Sequence, residues 1–150
     1  MGMFSSINIS GSALTAQRLR MDVISSNMAN ADTTRAKQVN GEWEPYRRKM
    51  VSFSTQNLSF GDQLSTAMKG TSSESGGVRV NQIVEDQTPF QLVYDPSNPD
   101  AGADGYVKMP NVDPLKEMVD LMSATRSYEA NVTVLNANKS MLMKALEIGR

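Results

Sequence analysis

Four oxygen-bearing side chains in the second half of the chain are spaced roughly as in a calcium-binding loop: Asp95, Ser97, Asp100 and Asp104. A loop of that kind needs a glycine at its sixth position and a bidentate glutamate at its twelfth. Counted from Asp95, the sixth position is Asp100 and the twelfth is Tyr106, and Pro99 occupies the fifth. The spacing therefore favours a turn over a calcium site.

Two carboxylates, Glu42 and Glu44, alternate around Trp43. Alternate residues of a strand lie on one face, which is where a glycosidase places its catalytic pair. Because the sequence shows nothing that would raise either pKa, we expect both side chains to be solvated.

The basic triplet Arg47, Arg48 and Lys49 is isolated in the sequence. Such a triplet is either an anion site or, more commonly, the solvated edge of a strand. We expect the solvated edge.

The chain lacks residue types on which many enzyme mechanisms depend. It has 150 residues and neither cysteine nor histidine, so it lacks the usual nucleophile, the near-neutral acid or base, and the commonest transition-metal ligands. Its 15 basic and 16 acidic residues nearly cancel, and no glycine-rich phosphate loop is present. We therefore predict no enzyme activity, no cofactor or metal, no small-molecule substrate and no nucleic-acid partner.

The first thirty residues show none of the usual targeting patterns. They contain no apolar run of the length a secretory signal needs, and the first basic residue is Arg18. The whole chain likewise lacks the roughly 20 consecutive apolar residues of a membrane span. We expect a soluble protein that, if exported, uses another route.

Helix-breaking residues are concentrated in the middle of the chain, since all six prolines lie between Pro45 and Pro114. The two ends have helical spacing, whereas the middle alternates short β-like runs with turns. We predict an α+β fold in which long N- and C-terminal helices pair as a coiled coil around a small β-rich centre. The predicted division is 1–40, 41–110 and 111–150, with helices over about 5–31 and 113–149, strands near 43–53, 78–84 and 90–94, and a flexible loop over 71–77.

Apolar residues in the N-terminal helix fall into two sets. The first set shares one face and comprises Ile7, Leu14, Met21, Ile24 and Met28. A second set lies across the helix and comprises Ile9, Ala16, Leu19 and Val23.

The C-terminal helix begins with Asp113 as a cap and Pro114 at the first helical position. Its first stripe comprises Met118, Leu121, Tyr128, Val132, Leu135, Leu142 and Leu146. Its second stripe, separated by polar strips, comprises Val119, Ala130, Val134, Ala137, Met141, Ala145 and Ile148. A self-contained helical hairpin would bury only one of them. We therefore expect one stripe to pack within the chain and the other against the β-rich centre or another subunit, without assigning which is which.

Three runs of sequence resemble the bacterial flagellar rod and hook family. The run GSALTAQRLRMDVISSNMANADT, from Gly11 to Thr33, contains the Asn-Leu/Met-Ala-Asn segment of that family as Asn27, Met28, Ala29 and Asn30. The runs LVYDPSNPDA, from Leu92 to Ala101, and GYVKMPNVDPLKEMVDLMSATRSYEANVTVLNANKSMLMKALEIGR, from Gly105 to Arg150, are similar to it as well. The chain departs from many relatives in having Arg35-Ala36-Lys37 in place of a Gly-aromatic pair.

The resemblance implies a structural subunit of the basal-body rod, an axial drive shaft that passes torque from motor to hook. It implies terminal helices that pair in coiled-coil layers facing the axis, with the β domain outside. Its expected partners are other copies of itself, other rod subunits and the flagellar type III export apparatus, which needs no cleaved signal peptide. The expected assembly residues are Asn27, Ala29 and Asn30, the first set of the N-terminal helix, the first stripe, and Val134, Met141 and Ile148 of the second stripe.

The residues alone also allow two other classes of protein. A small helical binding module, such as a chaperone or adaptor, would use an exposed stripe to grip one client in a one-to-one complex. A hydrolase of unrecognised type is the third alternative. Concentration-dependent polymerisation would favour the shaft.

Overall fold

The computed structural model describes residues 3–39, 41–55 and 76–148, together with Leu64 and Met68. In this part of the chain two long helices, one at each end of the sequence, flank six short strands in chain order. In chain order these are α1 (Met3–Ala29), β1 (Lys37–Val39), β2 (Glu42–Glu44), β3 (Lys49–Thr55), β4 (Val78–Glu85), β5 (Gln91–Tyr94), β6 (Tyr106–Met109) and α2 (Pro114–Ile148). The predicted α+β class is confirmed.

The ends of the helices follow from local hydrogen bonds. The Asp113 carboxylate accepts from the backbone N–H groups of Leu115 at 3.0 Å and Lys116 at 3.3 Å, which confirms it as the cap of α2. At the end of α1, the Asn30 side-chain amide donates to the Ser26 carbonyl at 2.9 Å and so ends the helix slightly earlier than predicted. The predicted stop at Gly149 and the loop residues 71–75 lie outside the described residues.

The described strands form three two-stranded ribbons, β1 with β2, β3 with β4 and β5 with β6. The predicted strand over 43–53 is divided in two, because Pro45 has no N–H to donate to a ladder and the chain turns until β3 begins at Lys49. The strands over 78–84 and 90–94 are confirmed. The sequence analysis missed β1 and β6, which have three and four residues and are too short to show a clear apolar alternation.

The chain divides into two compact units. One unit comprises Met1–Leu19, Ser52–Gln82 and Ala124–Arg150. Within it, Ala16 and Ala124 are buried, and the Ser12 hydroxyl accepts from the Val78 N–H at 3.0 Å. The small side chains at these positions suit close packing of the backbone.

The other unit comprises Arg20–Val51 and Ile83–Ser123. The helices run antiparallel in it, because Arg20 pairs with Asp120 at 3.2 Å and Asn27 bonds to Glu117 at 3.0 Å. Pairing of the terminal helices, as predicted, is thereby confirmed. The buried apolar residues among the described part of this second unit are Val23, Ile24, Tyr46, Val107 and Val112. The three-part domain division stays a prediction.

Neither helix, over its described residues, combines the length and the apolar composition that a membrane span requires.

Candidate functional site

A buried asparagine, Asn27, joins the last turns of α1 to two other segments of the chain. Its side-chain amide donates to the Lys49 carbonyl at 2.8 Å and to the Glu117 carboxylate at 3.0 Å. Its carbonyl accepts from the Lys49 N–H at 2.9 Å and from the Tyr46 hydroxyl at 3.0 Å. All four hydrogen-bonding positions of the side chain are therefore used, at only 1% exposure. The bonds fix the start of β3 and the first turn of α2 to the end of α1.

A buried ion pair between Glu117 and Arg48 lies beside Asn27. We call these three residues the polar junction. Glu117 is fully buried, and its second oxygen accepts from Arg48 Nε at 2.5 Å. A buried carboxylate is tolerated only when its charge is compensated and its lone pairs are satisfied. Arg48 supplies the compensating charge and Asn27 the second hydrogen bond. Removing Arg48 would leave the buried carboxylate without a cation, and removing Asn27 would leave one of its oxygens without that hydrogen bond.

Arg48 also holds two carboxylates at its outer side. Its Nη2 donates to Asp120 at 3.3 Å, and its Nη1 lies 3.8 Å from Asp86. Asp120 receives a further bond from Arg20 of α1. The expectation that the basic triplet is a solvated edge is therefore wrong for Arg48, because acidic groups distant in sequence converge on it. Arg47, its neighbour, lies over the Phe90 ring at 4.2 Å.

The segment between β4 and β5 closes the outer side of the junction. The Thr88 backbone N–H donates to the Asp86 carboxylate at 3.0 Å and, with help from the nearby Arg48 charge, holds the pKa of Asp86 below its ordinary value. Asn111 bonds the Arg48 N–H at 2.8 Å and the Thr88 hydroxyl at 2.8 Å. Asp86 therefore stays ionised beside the guanidinium.

The residues compared with a calcium loop form a turn. The Asp95 carboxylate accepts from the N–H and the hydroxyl of Ser97, at 3.2 and 2.6 Å, as in an Asx turn. Asp100 is ion-paired with Arg35 and accepts from the Thr34 hydroxyl at 2.7 Å. These two bonds, that from Arg35 first, lower the pKa of Asp100. Arg35, which stands where many relatives have a Gly-aromatic pair, thus anchors this turn.

The paired carboxylates around Trp43 have different surroundings. Glu42 is exposed and Glu44 is half-buried on the β2 strand, with Trp43 exposed between them. The expectation of solvation holds fully for Glu42 and partly for Glu44.

The expected assembly residues of α1 are placed at different depths. Ile24 is buried and serves the chain's own packing. Four others of the first set, Ile7, Leu14, Met21 and Met28, are half-buried. Ala29 is exposed, whereas Asn30 is half-buried and caps the helix. The buried centre of this helix face also includes Ala16 and Val23 of the second set.

The two stripes of α2 differ sharply in exposure. In the first stripe, Leu121, Tyr128, Val132, Leu135 and Leu142 are half-buried, and only Met118 and Leu146 are exposed. Every member of the second stripe is exposed, including Val134 at 50%, Met141 at 57% and Ile148 at 85%. Within a single chain the first stripe therefore packs inward and the second faces out.

Sequence reasoning missed the polar junction, in particular Glu117 and its partner Arg48. A usable signal was present for Glu117, because it lies four residues before Leu121 and seven before Ala124, on the inward face of α2. A carboxylate in such a position requires a cation. No comparable pattern in the sequence pairs it with Arg48, which is 69 residues away.

Two stretches of the chain match described protein families. Residues 7–37, which include most of α1, match a family described as "Flagella basal body rod protein". Residues 103–148, which include β6 and α2, match one described as "Flagellar basal body rod FlgEFG protein C-terminal". The two helices that meet at the polar junction thus define a chain of the flagellar rod class.

Relatives that match over nearly their full length identify the family within the flagellar rod class. The flagellar basal-body rod protein FlgC of Bacillus subtilis is 66% identical over 150 residues, and that of Salmonella typhimurium is 45% identical, with both chains fully covered in each case. FlgC of Borreliella burgdorferi is 44% identical, covering 99% of this chain and 98% of the relative. The chain belongs to the FlgC family of flagellar basal-body rod proteins. This is a family of structural proteins and not of enzymes, as the resemblance implied.

Proposed function

We propose that the chain is a structural subunit of the bacterial flagellar basal-body rod, and that it polymerises through its terminal helices with copies of itself and with other rod subunits. In this role it passes torque from the motor to the hook. The observation that carries the proposal is the second stripe of α2, which is exposed throughout although the first stripe already supplies the inward face of the helix.

The second stripe has the dimensions of an assembly surface. It runs from Val119 to Ile148, about 44 Å at 1.5 Å of rise per residue. Its three alanines allow another helix to approach closely, and each Å² of apolar surface that a neighbour covers contributes about 25 cal/mol. Such a contact is modest in one subunit but is repeated along a polymer.

Exposed methionines also lie along α2, one of them, Met141, within the second stripe. Met118, Met122, Met141 and Met143 are all more than half exposed on α2. An unbranched thioether adapts to gaps of different shape. These side chains therefore suit a subunit that meets non-equivalent neighbours, whether copies of itself or other rod proteins.

The polar junction supports the mechanical side of the proposal. Torque applied through the helices must reach the strands without local unfolding. Buried hydrogen bonds and an ion pair have fixed directions, so they resist sliding of one segment over another better than apolar contacts alone. Asn27 and Glu117 place such bonds where α1, α2 and β3 meet.

The test uses Val134, half exposed in the middle of the second stripe. Val134→Asp places a charge where a neighbouring subunit would exclude water, and we expect loss of incorporation into the rod and loss of motility. The melting temperature of this variant should change little, because Val134 is half exposed and lies outside the buried core of the subunit. Rod content of purified basal bodies and swimming are the measurements.

The matched control for this test is Asn136→Asp. It adds the same charge at an exposed position of α2 that points away from the second stripe. We expect normal rods from it. Normal, torque-bearing rods from Val134→Asp at normal protein levels would contradict the proposal, and a single soluble one-to-one complex with a client would point to an adaptor.

We further propose that the chain leaves the cytoplasm through the flagellar type III export apparatus, and that its first helix carries the export information without being cleaved. Apolar residues of this segment are spread over a helix and are not gathered in one run. Deletion of residues 2–20 should retain the protein in the cytoplasm, whereas truncation of residues 144–150 should leave export intact. Fractionation with an antibody checks both, and delivery of the first variant to the basal body would exclude the idea.

A further inference from the structure

Met141 lies within the second stripe of α2 with its side chain open to solvent. Ala137 and Ala145, four residues before and after it, are its neighbours on the same side of the helix and are too small to cover it. The Met141 side chain is 57% exposed. The longest side chain of the second stripe is therefore accessible to small solutes in the free subunit.

The thioether of Met141 is a sulfur that an oxidant can reach. The chain contains no cysteine, so its eleven methionines carry all of its sulfur. Among the described methionines, Met21, Met28 and Met109 are half-buried, whereas Met141 is exposed. Oxidation to the sulfoxide turns a flexible apolar side chain into a polar one, and it can be reversed. In the second stripe this change would fall on a surface whose apolar character is its function.

We propose that Met141 is a site of reversible oxidation, at which a peroxide prevents the free subunit from assembling. The inference rests on the proposed function and adds a means of controlling it. A lone pair of the sulfur attacks one oxygen of hydrogen peroxide, so that an S–O bond forms as the O–O bond breaks. The departing hydroxide takes the proton of the transferred oxygen and leaves as water. Sulfur loses two electrons to the peroxide, and a dithiol reverses the step by giving water and a disulfide.

The new oxygen acts on the assembly surface itself. A sulfoxide oxygen is a hydrogen-bond acceptor, and its burial against an apolar neighbour without a donor is unfavourable. In a finished rod the neighbour that covers the second stripe also covers the sulfur. Oxidation of Met141 therefore stops subunits before they assemble and leaves assembled subunits unchanged.

Met143 is the matched control for Met141. It lies near the same end of α2 and is 56% exposed. Because it follows by two residues, it points about 200° away from Met141 and belongs to neither stripe. Glutamine is similar in length to methionine and carries a polar oxygen, as the sulfoxide does. We expect Met141→Gln to reduce incorporation into the rod at least tenfold without changing melting, and Met143→Gln and Met141→Leu to incorporate normally.

Treatment with hydrogen peroxide measures the reactivity of the sulfur directly. In the free full-length subunit, peptide mass spectrometry should find the sulfoxide at both Met141 and Met143 before it appears at Met21 or Met28. In intact basal bodies Met141 should react at least tenfold more slowly than in the free subunit. Equal reactivity of Met141 in the two states would overturn the proposal.

The variants separate this inference from the proposed function. Normal rods from Met141→Gln, together with failure of Val134→Asp to assemble, would refute control by oxidation and leave the rod function standing. Normal rods from Val134→Asp would instead refute the assembly surface on which both depend.

Discussion

Asn27 holds three segments together with one small side chain. It has two donors and two acceptor positions, and each of them bonds a group on another segment of the chain. Glu117, beside it, is accommodated in the interior because one of its oxygens accepts from Arg48 and the other from Asn27. Asn27, which belongs to the Asn-Met-Ala-Asn segment, therefore has a structural role within the subunit that does not depend on any contact between subunits.

Replacement of Asn27 by alanine is expected to lower the free energy of unfolding by about 2–4 kcal/mol, since a buried partner left unsatisfied costs about 1–3 kcal/mol and several are affected. The control is Asn136→Ala at an exposed position of α2, for which we expect a change within about 0.5 kcal/mol. Urea denaturation of both variants measures the difference. Equal stabilities would mean that the junction contributes nothing.

Helix α2 changes character along its length. Near its start Glu117 and Ala124 are fully buried, in its middle the first stripe is half-buried, and from Met143 to Ile148 every residue is exposed. A helix segment without a buried face has little beyond its own weak propensity to stabilise it. The end of α2 therefore depends on a neighbour for its stability.

Hydrogen exchange of the free subunit should reveal this gradient. We expect the amides of residues 143–148 to exchange fastest and those of 117–124 to exchange slowest, because local opening costs least where least is buried. In the assembled rod the fast segment should become protected. Equal, strong protection along α2 in dilute free protein would show that the helix needs no neighbour.

The elements of this chain differ in how far they could be predicted from sequence. The helices were predictable because their apolar spacing is long and Asp113 and Pro114 mark a start. The strands β1 and β6 were not, because runs of three and four residues are too short to show a period and depend on the strand with which they pair. Periodicity also could not show that the first stripe packs inward. It reveals two apolar faces on α2 but does not say which face the rest of the chain covers. The pairing of Arg48 with Glu117 required the fold itself.

In the whole molecule, one set of contacts is complete within the chain and one apolar surface is not covered by it. The hydrogen bonds and the ion pair of the polar junction are satisfied within the chain. The second stripe of α2 is apolar and exposed, as expected of a subunit that is stable alone only in part. Together they describe a subunit whose full set of contacts exists in a rod.

The most direct measurement is a density map of the assembled basal body at a resolution that shows side chains. We predict that Val134 and Met141, at least half exposed in the free chain, are buried against a neighbouring subunit, while Asn27 keeps its four bonds within its own chain. A map in which the second stripe faces solvent along the rod, with subunits joined by other surfaces, would contradict it.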